Sequence, residues 1–343
     1  MNKLFFWVCA VLMTACTSYK NDEVLTESGL SKSRFQTEIN GEKTDLFVLK
    51  NKNKMEVCIT NYGGRIVSVM VPDKDGIMRD VVLGFDSIQD YIKYPSDFGA
   101  SIGRYANRIN QGRFSLDGIV YQLPRNNYGH CLHGGPQGFQ YRIYRGIQVS
   151  DREVKLTYLS KNGEEGFPGN LNCTVIMKLT KDNSDYLLTL NADYYTPVDS
   201  TFMTTGEIVP VEGTPMDFRL PAVIGTRINQ DFEQLRYGNG IDHNWVLNTK
   251  GDIHQVCATL ESPVTGIVLN VYTDEPGIQV YCGNFLDGTL TGKKNTIYNF
   301  RASVCLETQK YPDTPNKADW PTAVVRPGEK YQSHCIYKFS VHK

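Results

Sequence analysis

The sequence predicts an all-β fold, a sandwich or barrel, and three observations carry that prediction. Apolar and polar residues alternate at period two through most of the chain. The alternating runs are short and separated by clusters of Gly, Pro, Asn and Asp. No long stretch holds an apolar stripe at helical spacing, which argues against a βαβ arrangement. With 343 residues, 41% of them hydrophobic, one large domain can bury a substantial core.

The amino terminus reads as an address rather than as structure. Met1-Asn2-Lys3 is a short basic start, and the apolar run from Leu4 to Met13 is too short to anchor a helix across a bilayer. Residues 1–15 therefore read as a signal peptide. Met13-Thr14-Ala15-Cys16 resembles a bacterial lipobox, with Met13 where leucine is usual and Cys16 as the lipidated first residue of the mature chain. An ordinary cysteine behind a plain signal peptide is the alternative. Residues 16–33 are polar without hydrophobic period and read as a flexible tether, leaving 34–343 as the domain. The expected location is the bacterial envelope, periplasm-facing or in the outer membrane, with the lipid anchor as the sole membrane contact.

Strands follow in order. Met55–Thr60 and Ile66–Val71 alternate, the second ending at Pro72-Asp73-Lys74-Asp75-Gly76, whose turn formers release the chain into Asp80–Gly84. Alternation returns at Val154–Leu159, Leu171–Leu179, Tyr186–Leu190, Gly266–Thr273, Ile278–Cys282, Val304–Leu306 and Tyr331–Phe339. No fixed-period repeat points to a propeller or solenoid. The 36 basic and 37 acidic residues nearly cancel, so no nucleic-acid partner is expected, and a small neutral ligand fits better. Seven cysteines, at 58, 131, 173, 257, 282, 305 and 335, show no C-x-x-C spacing and read as buried free thiols.

Polar residues that interrupt apolar pattern are the candidates for chemistry. Glu307, at the end of Ser303-Val304-Cys305-Leu306, is either a catalytic base or a strand-end acid facing water. His133 lies in a glycine-bearing loop that lets backbone approach a ligand. With His130 it lacks the further ligands of a metal site, so no metal is assigned. Arg104 and Arg108, four apart, share a face if helical, but solvent exposure is the default for each. Asp242, beside His243-Asn244-Trp245, terminates a turn or belongs to a site.

Taken together, these segments resemble the aldose 1-epimerases, or galactose mutarotases. The resemblance rests on Asn61-Tyr62-Gly63-Gly64-Arg65, Asp80-Val81-Val82-Leu83-Gly84-Phe85, Gly103-Arg104-Tyr105-Ala106-Asn107-Arg108-Ile109 and Leu132-His133-Gly134-Gly135. It continues in Gly163–Gly169, Thr205-Gly206-Glu207-Ile208, Gly213–Arg219, Asp242-His243-Asn244, Gly283–Gly288 and Leu306–Asp313. It implies a large antiparallel β-sandwich of the galactose mutarotase-like type, with a concave sheet cradling a pyranose. It implies Glu307 as general base, and Asn107, Arg108, His133, Asp242 and Gln279 as residues that hold the sugar. The reaction it implies interconverts anomers of a free hexose such as glucose or galactose by opening and reclosing the ring. No cofactor is required; a structural Ca2+ is left open, though nothing has the spacing of a calcium loop. A monomer is expected.

One segment of the family pattern is missing. Tyr186–Leu190 runs directly into Asn191-Ala192-Asp193-Tyr194-Tyr195-Thr196-Pro197-Val198-Asp199, where the family places a segment bearing a second histidine, its general acid. The omission corresponds to about 25 residues, two strands and a connection at typical lengths. His243 should face away from Asp242 by strand alternation, which leaves His133 as the substitute acid. Loss of two strands predicts exposed sheet edges or a gap in the core. The alternatives are a sugar-binding relic without catalysis, a shortened product that folds poorly, and a glycoside hydrolase using Glu307 and Asp242 as its carboxylate pair.

Overall fold

A computed structural model describes residues 24–52, 54–179 and 188–342. It is an assembly of antiparallel sheets with two short α-helices among the described residues, Ile88–Lys93 and Glu233–Tyr237. The first sheet orders Leu46–Lys50, Glu56–Thr60, Arg65–Pro72 and Met78–Asp80 as a meander. A three-stranded sheet of Arg145–Ser150, Glu153–Ser160 and Leu171–Lys178 packs on it, with Val154 and Leu156 against Phe47, Leu49 and Ile59.

The carboxyl-terminal half holds two more sheets. One orders Thr189–Leu190, Ala258–Glu261, Ile267–Thr273 and Cys335–Val341; the other orders Val209–Pro210, Tyr194–Thr196, Asp242–Val246, Gly277–Tyr281 and Cys305–Gln309. Trp245, Ile278, Val280 and Leu306 from the second meet Leu190, Ala258 and Val271 from the first in one buried cluster. The period-two pattern is the cause: each strand gives alternate side chains to this core and the others to its opposite face.

Several expectations change on this frame. The run at Asp80–Gly84 is not a strand; pairing ends at Asp80, whose side chain turns back to accept from Val69 N at 3.2 Å and Val82 N at 3.2 Å. The last strand starts at Cys335, not Tyr331. The Tyr186–Leu190 run is described only from Leu188, which makes an isolated bridge to Ala222. The described end of the stretch read as a tether packs on the body: Leu30 is 1% exposed, and Glu27 N and Ser28 N donate to the Glu56 carboxylate at 3.0 and 3.2 Å. The signal peptide and Cys16 lie outside the described residues. The seven body cysteines are free, four of them buried, with Cys173 and Cys305 half-buried and Cys335 exposed. Among the described residues no helix is long and apolar enough to cross a membrane.

Candidate active site

Three adjacent strands build the floor of the site. Their register sets Asn244 opposite Gln279 and Gln279 opposite Glu307, so these side chains share one face. Asp242 precedes Asn244 by two and points the same way, while His243 and Trp245 point into the core, both fully buried. Glu307 is thus the middle residue of a five-residue strand and faces a cavity, not a strand-end acid in open water. Asp242 begins a strand instead of merely terminating a turn.

A chain of amides orients this floor. Gln309 Nε2 donates to Asn244 Oδ1 at 3.1 Å and to Gln279 Oε1 at 3.2 Å. With its oxygen engaged, Gln279 turns its Nε2 to Asp242 Oδ1 at 2.7 Å. Asn244 and Gln309 escaped the sequence reading because register, not chain neighbourhood, brings them to Gln279.

Loops supply the wall. Residues Arg108–Ile109 pair with Cys131–Leu132, placing Asn107 beside His133. His133 N donates to Asn107 O at 3.0 Å, and Asn107 N donates to His133 Nδ1 at 3.1 Å. An Nδ1 that accepts leaves the neutral ring's hydrogen on Nε2. Gly134 lets this crossing close, since a Cβ there would lie 1.9 Å from Gly103 O. Arg108, 6% exposed, donates from Nε to Asn127 Oδ1 at 3.0 Å and lays its guanidinium 5.2 Å from the Phe202 ring centroid.

Neither arginine of the Gly103–Ile109 segment is the solvent-facing residue that default reading expects. Arg104 binds Ser160 Oγ at 2.7 Å and the carbonyls of Pro168, Ser160 and Lys161, so it anchors loops rather than the cradle. The paired histidines make no metal site: His130 Nδ1 accepts from Gln111 N at 3.0 Å and its Nε2 meets Thr201 Oγ1 at 2.9 Å. Among the described residues no group of three or more His, Cys, Asp or Glu could hold a metal ion.

Electrostatics single out Glu307. Burial, then the charges of Asp242 and Asp97, push its carboxyl up to about 8, with Arg108 opposing. Burial also raises Asp242, against Arg108, the Gln279 hydrogen bond and His133. His133 is lowered, chiefly by burial. His243 is pushed down to about 3 by burial alone and faces the core, so it has no place in the site. Asp97 was not anticipated: Arg65 Nη1 holds the carbonyls on either side of it, Ser96 O at 2.8 Å and Phe98 O at 3.1 Å, across more than thirty residues of chain.

The cradle opens into a cavity of about 2180 Å³ that continues between the sheets, past Val175, Met177, Leu260, Leu269 and Phe339. Small-ligand pockets seldom exceed about 1,000 Å³, so a small ligand fills only part of this space.

The family model for aldose 1-epimerase matches residues 45–187 and 181–338. The chain belongs to the aldose 1-epimerase family. It is 36% identical to the galactose mutarotase of Rattus norvegicus, over 88% of this chain and 95% of that one. It is 34% identical to the aldose 1-epimerase of Escherichia coli K12, over 87% and 96%. Among solved structures, the aldose epimerase homologue from C. elegans superposes with a TM-score of 0.77 at 27% identity, covering 88% of this chain and all of that one. These likenesses establish the galactose mutarotase-type β-sandwich for this epimerase-family chain. The rat alignment spans 334 positions, while 88% of 343 residues is about 302, so about 32 positions have no counterpart here. The two family-model segments meet at residues 181–187.

Proposed function

We propose that this chain is an aldose 1-epimerase, interconverting the α and β anomers of a free hexose such as glucose or galactose. The observation that carries the reading is one polar cavity end lined by Asn107, Arg108, His133, Asp242, Gln279 and Glu307. Asp242 and Gln279, locked to each other, and Arg108 supply oriented donors and acceptors for sugar hydroxyls. Glu307 exchanges a proton with the C1 hydroxyl. His133, as a neutral ring, offers Nε2–H to a sugar oxygen. Loss of the C1 hydroxyl proton and gain of a proton by the ring oxygen break the ring bond, rotation about C1–C2 turns the carbonyl, and reclosure gives the other anomer. This chemistry needs no cofactor.

Polarimetry of α-glucose and α-galactose with the folded protein tests the reading. Acceleration that falls about 10²- to 10⁴-fold in Glu307→Gln is the expected result. A folded protein that binds galactose and leaves mutarotation at the solvent rate sinks it.

The envelope location, the lipid on Cys16 and a monomeric state belong to the same proposal, and the Leu4–Met13 run followed by Thr14-Ala15-Cys16 supports the first two. Labelling of the protein by a radioactive fatty acid, abolished in Cys16→Ser, is expected. A labelled Cys16→Ser protein rules that anchor out.

A further inference from the structure

One buried atom in the floor of the site has no partner among the described residues. Gln309 is 4% exposed, and its Oε1 accepts no hydrogen bond from them. An amide oxygen left unpaired in this way is destabilising, so its orientation must be held by what the other end of the group does. Gln309 Nε2 commits both its hydrogens, one to Asn244 Oδ1 at 3.1 Å and one to Gln279 Oε1 at 3.2 Å.

Reversing the Gln309 amide would set its oxygen against those two oxygens, and the conflict would pass on to both neighbours. Asn244 is wedged in place: it is 1% exposed, and a Cβ on Gly277 would lie 2.5 Å from its Oδ1. Gln279, if it turned with Gln309, would aim its Oε1 at Asp242, where its Nε2 now donates to Oδ1 at 2.7 Å. In the observed sense, the second hydrogen of Gln279 Nε2 and the Asp242 Oδ2 have no partner among the described residues, and both side chains line the cavity. They set a donor beside an acceptor, which suits a sugar hydroxyl because it is both. The reversed amide would offer two acceptors. Asp242 by itself also draws the Gln279 N–H but leaves the amide free to swing about that contact; Gln309 grips its other end, so two contacts fix one planar group.

We propose that Gln309 is a positioning residue for the sugar: by engaging Gln279 Oε1 it fixes the sense of that amide, and through it the donor and acceptor that Gln279 and Asp242 present to the hydroxyls. Gln309 itself need not touch the substrate.

This role rests on the epimerase reading, and galactose affinity, measured by titration calorimetry, tests it apart from turnover. Gln309→Met keeps the bulk of the side chain and removes the donor; affinity should fall on the order of tenfold, with a cooperative melt retained. Gln279→Met should lose at least as much, and the double variant should bind within about twofold of Gln279→Met alone, because Gln309 then has nothing left to position. Losses that multiply in the double variant, or native affinity in Gln309→Met, overturn the inference. If Gln309→Met does not fold, Gln309→Glu preserves the shape and supplies only acceptors, so it should weaken galactose binding by the same order or more; native affinity there overturns the inference equally. In mutarotation the loss should appear as a raised KM with kcat within about twofold of the parent, and a kcat that falls at unchanged KM overturns the inference by placing Gln309 with the reacting atoms. A parent that binds galactose without accelerating its mutarotation sinks the epimerase reading alone and leaves the affinity cycle to decide this role. A parent that does not bind galactose overturns both.

Discussion

At the scale of the residue, Glu307 is governed by what surrounds it more than by what it is. A carboxyl in water ionises near 4, but here burial, and then the charges of Asp242 and Asp97, push it up to about 8. Asp97 is the adjustable part, because it is exposed on a loop outside the three strands of the floor. Asp97→Asn removes a negative charge, eases ionisation of Glu307, and moves the Glu307 limb of the pH–rate profile to lower pH. The expected displacement is under about one unit, since Asp97 is exposed and screened. A displacement to higher pH contradicts the assignment. The same raised carboxyl sets a stability trend. The folded state keeps a proton that the unfolded chain loses, so this group's contribution is full below the unfolded value near 4.5 and is lost as pH rises through about 8. Thermal melts of Glu307→Gln against the parent should therefore show the variant gaining, by on the order of 2 °C, as pH goes from 5 to 9. An unchanged difference between those pH values goes against it.

At the scale of the element, the site is a product of register. Asn244, Gln279 and Glu307 stand in one row because three strands pair without a bulge between them, and a one-residue slip would send Glu307 into the core and Leu306 to the sugar. The loop wall is set by backbone contact instead. Gly134, at φ +79°, lies against Gly103 O, and this close approach is what seats His133 beside Asn107. Gly134→Ala is expected to cost about 1–3 kcal/mol in urea unfolding, with weaker hexose binding as the Asn107–His133 pair opens. Native stability and binding in that variant would show the approach to be dispensable. His133, Arg108, Asp242 and Glu307 stood out in their own sequence segments, Asn107 and Gln279 came only through the family resemblance, and all six line one cavity. The amide chain through Asn244 and Gln309 did not stand out, because its members lie 30 and 65 residues from their partners.

At the scale of the whole molecule, one cavity joins the polar cradle to an apolar region. Its apolar reach is lined by Val175, Met177 and Leu269, which also pack against the buried cluster of Leu49, Ile59 and Leu156. Such a space admits small apolar probes. The folded protein should bind anilinonaphthalene sulfonate at neutral pH while keeping a cooperative melt and its near-ultraviolet dichroism. Loss of the dichroism together with dye binding would indicate a molten state and not a cavity in an ordered one.

The sequence by itself determined the class of fold and the family, because period-two alternation and contiguous motifs are local properties of the chain. Only the tertiary structure decided that the charge of Asp97 acts on Glu307, that Asn107 N–H occupies the His133 ring nitrogen, that Arg104 is an anchor, and that the chain around Glu27, Ser28 and Leu30 packs on the body. Each of these depends on contacts between distant parts of the chain, and proton affinity depends on the charges and burial that such contacts create.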